Sequence, residues 1–413
     1  MGKVRYRLKL AGAAFLYKVF YMPRILKRIK LKDRVNVVFF AFNVDMWKYD
    51  GFFRLLLGDE RFNPVIVPLL LPEDREEFRI RQQQKMKEYF CAKGYPFFDA
   101  YDFSTGKLLD IKSLAPDVVF YAQPYDMEYK AHRIFSLMTD CLFAYIPYCY
   151  HMEDDALFYS RALFRFAWKI YYPTEHHRKL AVANTPSCAD SIVVCGYPMA
   201  DRLLAQSAPD YSAWKIQDTS IKRVIWAPHH SILKDDLLDN SRFLELADGM
   251  LELARKYEGR LQFAFKPHPR LRSKLYGLED WGVEKTDAYY RQWEDMPNAI
   301  YAEGDYVELF RSSDAMVHDC SSFMGEYLFF DKPVAFDGNR ESVSSHLNVF
   351  GRSCLACHYQ VDSLQEIERF LESVVLGGQD TMAPARRQFR SELADSGNVA
   401  ERIYSDFKSS LEA

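Results

Sequence analysis

The sequence predicts an α/β protein with two Rossmann-like, doubly wound domains that face a cleft, behind a basic N-terminal helical segment. The chain has 413 residues, which is too many for one ordinary core. Short apolar runs alternate with amphipathic patterns of helical period, and this alternation is typical of parallel sheets. Basic residues are concentrated at the N-terminus, where residues 1–32 hold ten Lys or Arg and no acidic residue.

Residues 1–34 are predicted to be a basic, amphipathic, membrane-associating segment. Phe15, Val19 and Phe20 lie among Lys and Arg, as in a helix at a membrane surface, where each basic residue adds ~1 kcal/mol of binding free energy. The apolar stretch that ends at Met22 is too short to span a bilayer, and we expect no cleavage of the segment as a signal peptide. A solvated basic arm is the alternative.

The rest of the chain is acidic. Beyond residue 32 it has 44 basic and 57 acidic residues, so we expect no nucleic-acid partner, and an anionic membrane surface is the predicted partner of the basic segment. Eight scattered cysteines, mostly flanked by apolar residues, predict a reduced chain. We therefore expect a cytoplasmic protein that is peripherally associated with the inner face of the cell membrane.

Residues 35–210 are predicted to form the N-terminal domain. Its apolar runs indicate buried strands separated by helices. The predicted strands are 35–42, 64–71, 116–121, 141–146 and 191–196, and the predicted helices are 75–93 and 157–169.

Residues 211–413 are predicted to form the C-terminal domain, after a polar stretch in which the apolar period fades. The C-terminal helices have room to cross back to the first domain. The predicted strands are 223–228, 261–265, 315–318 and 333–336, and a helix is predicted at 241–257 with Ser241 as its N-cap.

Polar side chains follow three strands of the C-terminal domain. Because carboxyl ends of parallel strands share one edge, we expect these residues to meet there. Cations and hydroxyl groups suit the phosphates of a pyrophosphate-bearing donor without a metal or other cofactor, and a histidine can deprotonate an attacking hydroxyl. Taken singly, each residue is more typical of a turn or a helix cap, whereas the set, in order at three successive strand ends, indicates a functional site. The predicted phosphate-binding residues are His229, His230, Lys266, Arg270, Ser321 and Ser322, with His268 among them as a candidate base.

Two acidic residues beside these segments are predicted to bind the nucleotide and its ribose. Asp319 directly precedes the serine pair, and Glu326 lies one helical turn beyond it. A carboxylate there can accept hydrogen bonds from ribose hydroxyls. The alternative for Glu326 is a solvated acid on the helix.

These segments resemble those of the CDP-glycerol glycerophosphotransferases, the teichoic-acid and capsule polymerase family, over roughly residues 190–340. The resemblance implies a GT-B arrangement, with an N-terminal acceptor domain and a C-terminal nucleotide-donor domain, and a donor-phosphate or catalytic role for His268. Cys320 stands where the family usually has Tyr. The matching segments are Gly196-Tyr-Pro198 with Asp201, Ala227-Pro228, Lys266-Pro-His268-Pro, Ser313-Asp314, Asp319-Cys320-Ser321-Ser322 and Lys332-Pro333.

One element of the family pattern is missing. The resemblance implies a His-Gly-x-x-x-Lys segment with the catalytic base in the N-terminal domain, and this chain has no such string. His151 follows predicted strand 141–146 at about the right place, so it is our candidate base. A loop histidine beside Met152 and Glu153 is the alternative.

The function predicted from the sequence is transfer of a polyol phosphate from a CDP-alcohol to a hydroxyl of a cell-envelope glycan or lipid-linked acceptor, with release of CMP. The alternatives are a GT-B glycosyltransferase that uses a nucleotide sugar, and an inactive membrane-associated scaffold of an envelope assembly complex. Metal-dependent sugar transfer, dinucleotide oxidoreduction, α/β-hydrolase action and NTPase activity are disfavoured, because the sequence lacks their motifs.

Overall fold

A computed structural model describes residues 2–70, 76–125, 127–233, 241–339, 343, 345–394 and 397–412. The chain forms two compact units. Unit 1 comprises Met1–Tyr150, Asp155–Asp201 and Ser396–Ala413, and unit 2 comprises His151–Asp154 and Arg202–Asp395. The main division between the units is thus at 201–202, close to the domain boundary that we placed at 210–211.

The strands of the described residues, in chain order, are Val35–Ala41 (β1), Phe62–Pro68 (β2), Tyr101–Asp102 (β3), Lys107–Leu108 (β4), Val118–Tyr121 (β5), Leu142–Tyr145 (β6), Lys169–Tyr172 (β7), Ile192–Val194 (β8), Lys222–Ala227 (β9), Leu261–Phe265 (β10), Ala299–Tyr301 (β11), Ala315–His318 (β12), Val334–Phe336 (β13) and Tyr359–Gln360 (β14).

The α-helices of the described residues are Gly2–Leu16 (α1), Met22–Lys30 (α2), Asp50–Leu57 (α3), Glu76–Ala92 (α4), Ile134–Leu137 (α5), Ala156–Tyr159 (α6), Ala162–Phe166 (α7), Glu175–Asn184 (α8), Ala200–Leu203 (α9), Phe243–Lys256 (α10), Leu271–Tyr276 (α11), Gly282–Asp295 (α12), Val307–Ser312 (α13), Ser321–Glu326 (α14), Val349–Leu355 (α15), Leu364–Arg369 (α16), Ala383–Ala394 (α17) and Val399–Glu412 (α18). Short π or 3₁₀ turns lie at Tyr17–Tyr21, Ile111–Leu114, Lys130–His132, Pro186–Ser191, Tyr327–Phe330 and Phe370–Leu376.

Unit 1 is built on a six-stranded parallel sheet with the strand order β2-β1-β5-β6-β7-β8. Strand β1 is buried on both faces except at Asn36, as expected for a central strand of a parallel sheet covered by helices. Phe39 of β1 stacks on Phe120 of β5, with ring centroids 4.7 Å apart. The predicted α/β class with parallel sheets is confirmed for this unit.

One predicted element of unit 1 is wrong. The sequence predicted a single helix over 157–169, but the structure has two short helices, α6 and α7, followed by strand β7. Lys169 begins the strand, and Tyr171 and Tyr172 are buried in the sheet. The aromatic run is locally compatible with a helix or a strand, and pairing with β6 and β8 stabilises the strand.

The basic N-terminal segment packs on unit 1 along one helical face. Tyr17 is fully buried, donates its hydroxyl hydrogen to the carbonyl of Cys141 at 3.2 Å, and packs against Phe143. Ile25 and Ile29 continue the buried face along α2. None of the described helices is both long and apolar enough to cross a membrane.

The last helix, α18, also packs in unit 1. Phe407 lies against Phe52 and Phe120, with ring centroids 5.7 Å and 5.4 Å apart. Asp201 accepts the backbone N–H groups of Val399 and Ala400, both at 2.9 Å. Because these amides lack helical partners at the start of α18, the carboxylate of Asp201 caps the helix.

Unit 2 is built on a second six-stranded parallel sheet, with the order β11-β10-β9-β12-β13-β14. Its core is aromatic. Trp226 of β9 packs against Phe265 of β10 and Trp293 of α12, at ring-centroid distances of 5.2 Å and 5.6 Å. Much of the 15% aromatic content of the chain therefore fills cores of this kind.

Candidate functional site

Three strand ends of unit 2 form the candidate site. Strand β9 lies between β10 and β12, so the residues that follow these three strands lie side by side at the carboxyl edge, as the parallel topology predicted. Chain order reverses between β9 and β12, and ligands of open α/β sheets bind at such a switch point. Backbone bonds join the ends of β9 and β10: Lys266 N–H donates to Trp226, and His268 N–H to Pro228, at 2.8 Å and 2.9 Å.

Three histidines converge at this edge. His229 and His230 follow β9, and His268 follows β10. The ring centroids are 4.3 Å apart for His229 and His230, 4.3 Å for His230 and His268, and 4.8 Å for His229 and His268. All three are half-buried. The sequence predicted these residues singly, and the structure brings them together in one cluster.

The hydrogen bonds of His268 determine which of its ring nitrogens carries the proton. The backbone N–H of Arg270 donates to Nδ1 of His268 at 3.1 Å. A backbone N–H can only donate, so Nδ1 is the acceptor and the proton of the neutral ring lies on Nε2. Nε2 of His268 is therefore a hydrogen-bond donor rather than an acceptor for a substrate proton.

Burial keeps His268 and His230 neutral. It lowers the pKa of His268 well below the ordinary value, with further contributions from His230, His229 and Arg270. Burial likewise lowers the pKa of His230 to about 2, with further contributions from His229, Lys274 and Arg270. The uncharged ring is thus the relevant form of His230 and His268 at neutral pH.

The nitrogens of the three histidines lie within 4.8 Å of one another, which is close enough for a shared metal ion. A metal-binding histidine normally binds through one nitrogen and donates N–H from the other. His268 has the opposite arrangement, because its Nδ1 accepts the N–H of Arg270. The donor set therefore fits an anion, such as a phosphate oxygen, better than a cation.

Ser321 and Ser322 lie at the start of α14, beyond β12, and both are half-buried. The hydroxyl of Ser322 is 3.2 Å from Sγ of Cys320. Burial raises the pKa of the Cys320 thiol to about 11, so this residue is a neutral neighbour of the serine pair. Both hydroxyls thus lie at the same edge as the histidines.

The two basic residues after β10 have different positions. Lys266 is only 5% exposed, and its ammonium donates to the carbonyl of Gly304 at 3.0 Å. It therefore ties the end of β10 to the loop after β11, and its side chain is buried. Arg270 is half-buried, and its charge acts on both His230 and His268.

The two predicted nucleotide-binding acids are both buried. Glu326 accepts the hydroxyl hydrogen of Tyr306 in a short bond. Asp319 is 1% exposed and accepts the backbone N–H of His229, together with bonds from Ser241 and the backbone of Arg242. Asp319 thus points into the protein towards neighbouring loops.

His151 lies outside unit 1, although the sequence placed it in the N-terminal domain. It belongs to unit 2, where its backbone carbonyl accepts the side-chain amide of Asn348 at 2.7 Å. Its Nδ1 is 3.4 Å from a carboxylate oxygen of Glu153. A carboxylate beside an imidazole orients the ring and stabilises its protonated form, which is an arrangement suited to a base.

Sequence reasoning missed two residues at this edge. Asp337 follows β13, and its backbone N–H donates to the carbonyl of His318 at 3.0 Å. Its position after a predicted strand was a usable signal. Tyr306, the partner of Glu326, lies in a loop before α13 with no pattern that marks it.

Residues 167–338 match a protein-family model described as CDP-glycerol:poly(glycerophosphate) glycerophosphotransferase. The predicted family is confirmed over this segment. The matched range includes all the site residues discussed above except His151. Over the matched segment, the description of the model agrees with the predicted enzyme class, a glycerophosphotransferase.

Solved structures with the same architecture support the fold of this chain. The wall teichoic acid polymerase TagF superposes with a TM-score of 0.55 at 11% identity, covering 98% of this chain and 99% of the other. S. aureus MnaA with UDP superposes with a TM-score of 0.58 at 13% identity, covering 92% of this chain and 97% of the other. The UDP-GlcNAc 2-epimerase from Neisseria meningitidis bound to UDP-GlcNAc superposes with a TM-score of 0.53 at 14% identity, covering 91% of this chain and 100% of the other.

At these identities the solved structures establish the fold alone, and the predicted GT-B class is confirmed. No curated protein matches the chain. The family assignment therefore rests on residues 167–338.

Proposed function

We propose that this glycerophosphotransferase-family chain transfers a polyol phosphate from a CDP-alcohol to a hydroxyl of an envelope glycan or lipid-linked acceptor. The acceptor oxygen forms a bond to the phosphorus that carries the alcohol. The bond from that phosphorus to the bridging oxygen breaks, CMP leaves with that oxygen, and the acceptor proton passes to a base. The donor is a substrate, and the proposal requires no other cofactor.

The observation that carries this proposal is the histidine cluster at the switch point, within the segment that matches the family. Nε2–H of His268 is aimed by the bond from Arg270 to Nδ1. A neutral N–H donor that is already oriented stabilises charge on phosphate oxygens without reorganisation during the reaction. Of the two roles that the resemblance implied for His268, this geometry favours donor-phosphate binding.

His229, His230 and the hydroxyls of Ser321 and Ser322 complete the proposed phosphate site, because they follow the neighbouring strands β9 and β12. Arg270 adds positive charge next to the cluster. Such groups act mainly by positioning the donor and by stabilising charge that develops on the departing phosphate.

His151 is the proposed base, with Glu153 as the carboxylate that stabilises the imidazolium formed by proton transfer. Binding of ribose hydroxyls by Glu326 stays a prediction, because its carboxylate is as buried as that of Asp319 and accepts the hydroxyl hydrogen of Tyr306.

The N-terminal segment is proposed to attach the enzyme to the anionic inner face of the membrane. Its buried face, with Tyr17, holds it to unit 1, while Phe15 and Phe20 on another face are 62% and 61% exposed. Lys9, Arg24 and Lys27 of the segment are exposed as well. Exposed aromatic residues among cations are typical of a helix at a membrane interface.

Calorimetric titration with CDP-glycerol, CDP-ribitol, UDP-glucose and CMP tests the proposed donor. We expect CDP-alcohols to bind best, and a Ser321→Ala, Ser322→Ala double variant to bind them about 5–150-fold more weakly, because each hydroxyl contributes roughly 0.5–1.5 kcal/mol. Ser353→Ala is the matched control, since that hydroxyl bonds within its own helix to Val349.

The other outcomes separate the remaining functions. A preference for UDP-glucose supports a glycosyltransferase in place of a polyol-phosphate transferase. Binding of none of the four nucleotides supports an inactive scaffold. Equal loss of affinity in the double variant and in the Ser353 control removes the serine pair from the site.

A further inference from the structure

We propose that Asp319 is a positioning residue of the donor site: its buried carboxylate holds the loop that carries His229 and His230 in the conformation that binds phosphate. This inference rests on the proposed function of the histidine cluster and assigns Asp319 a role other than binding ribose.

The contacts of Asp319 connect three separate parts of unit 2. The residue follows β12, and its carboxylate accepts the backbone N–H of His229, which follows β9. It also accepts bonds from the hydroxyl of Ser241 and the backbone N–H of Arg242, directly before α10. A bond of 3.1 Å from Ser241 N–H to the carbonyl of Ser231 joins the same two stretches.

A buried ionised carboxylate requires such donors, because burial without hydrogen bonds is costly. Three donors converge on Asp319, and two of them are backbone amides. Asp319 therefore holds the backbone nitrogen of His229, the first residue of the His229–His230 pair. The carbonyl of Pro228, in the same peptide group, accepts the backbone N–H of His268, so displacing this group moves all three histidines.

Asp337 is an acidic neighbour of Asp319. Burial raises the pKa of Asp337 well above its ordinary value, and the charge of Asp319 raises it further. Asp319 has the larger set of donors, so we assign the negative charge to Asp319 and the proton to Asp337. One charge rather than two then lies behind the phosphate site.

The direction in which Asp319→Asn changes donor affinity distinguishes positioning of the histidines from electrostatic repulsion of the donor phosphates. If the charge of Asp319 acted only by repelling the donor phosphates, its removal would tighten donor binding. If Asp319 positions the histidines, Asp319→Asn weakens binding, because the amide nitrogen cannot accept the converging donors. We expect the dissociation constant for CDP-glycerol to rise about tenfold or more.

Asp314→Asn is the matched control. Asp314 lies just before the same strand, β12, at its opposite end, and it accepts the backbone N–H of Arg223 at 2.8 Å. It therefore makes the same kind of bond between β12 and β9 away from the histidines. We expect a comparable decrease in thermal stability for both variants, but a change in donor affinity below twofold for Asp314→Asn.

A second variant keeps the test decisive if Asp319→Asn does not fold. Ser241→Ala removes one donor and leaves the carboxylate, so we expect a smaller loss of affinity, about twofold to fivefold, in the same direction. Inorganic pyrophosphate serves as a second probe. Binding of pyrophosphate but not of CDP-glycerol to the wild type would contradict the proposed donor and still measure the effect of Asp319 on the phosphate site.

The pH dependence of donor binding gives a readout that a purely structural role does not change. Burial raises the pKa of Asp319 to about 6, so its ionised form is lost as the pH falls through that value. We expect wild-type affinity for CDP-glycerol to fall between about pH 7.5 and pH 5, and the affinity of Asp319→Asn to stay nearly constant. The other titratable and charged groups that face this region are His229, His230, His268, Asp337, Arg242, Lys266, Arg270 and Lys274.

Three results would overturn the proposal. The first is wild-type or tighter donor binding by Asp319→Asn. The second is an equal loss of affinity in Asp314→Asn. The third is the same pH dependence in the wild type and in Asp319→Asn. Absence of any pyrophosphate or CDP-glycerol binding by the wild type would overturn the phosphate site itself.

Discussion

Arg270 donates its backbone N–H to Nδ1 of His268 across 3.1 Å. This bond makes Nε2 of His268 a hydrogen-bond donor, and it distinguishes a phosphate-binding role of this residue from a role as base. The neutral state of the ring follows from burial, which lowers its pKa well below the ordinary value.

Substitution of His268 tests this assignment directly. The side-chain amide N–H of Gln can take the place of Nε2–H, whereas Ala supplies no donor. We expect His268→Ala to lower kcat/KM for CMP release by ~10²–10³, as for loss of one transition-state donor, and His268→Gln to retain at least a tenth of the wild-type value. Equal inactivity of both variants, with loss of the acidic limb of the pH profile, would indicate a base instead.

His151 is expected to affect turnover rather than donor binding. His151→Ala removes the proposed base, so kcat should fall by about 10²–10⁴, while the dissociation constant for CDP-glycerol stays within about twofold. Pre-steady-state CMP release and calorimetry measure the two quantities. His346→Ala, an exposed histidine of the same unit, is the control. Wild-type kcat in His151→Ala would exclude the proposed role.

Asp337 should make the stability of the protein depend on pH. Its raised folded-state pKa means that the folded protein binds a proton that the unfolded chain, with a pKa of about 3.9, has released. The free energy of unfolding therefore falls as the pH rises from the unfolded to the folded pKa, by about 1.4 kcal/mol per pH unit for one proton.

Asp337→Asn should remove this slope and stabilise the protein at neutral pH. Urea unfolding measured between about pH 4.5 and pH 8 checks the expectation. Asp248→Asn, which changes an exposed acid on α10, should retain the wild-type slope. An unchanged slope in Asp337→Asn would show that Asp337 is ionised in the folded state.

We expect membrane attachment to depend on the exposed apolar face of the N-terminal segment. We expect the wild type to co-float with vesicles of phosphatidylglycerol and phosphatidylcholine, less so at high salt because the basic residues are screened. A Phe15→Ser, Phe20→Ser variant should lose most of this binding. Phe98→Ser, at a phenylalanine of unit 1 that is 47% exposed, should bind as the wild type does. Equal binding of vesicles by the Phe15→Ser, Phe20→Ser variant and by Phe98→Ser would favour a solvated basic arm.

Much of unit 2 could be predicted from the sequence, because apolar runs of strand length alternate with helices and polar residues directly follow the strands. Predicted strands 261–265 and 315–318 coincide with β10 and β12. Helix α10 was also predicted, but it begins at Phe243 with Arg242 at the N-cap position, so the prediction of Ser241 as the N-cap was wrong. The helix predicted over 157–169 was wrong, since pairing of β7 within the sheet overrides local periodicity.

The sequence by itself determined the fold class, the family segments and the set of polar residues at the carboxyl edge, since these depend on local patterns and on the general geometry of parallel sheets. Only the tertiary structure decided what each residue contacts. The sequence predicted that both Lys266 and Asp319 bind the donor, yet both side chains are buried and bonded to neighbouring loops. Side-chain direction, burial and the tautomer of His268 depend on contacts between distant segments, and no local pattern records them.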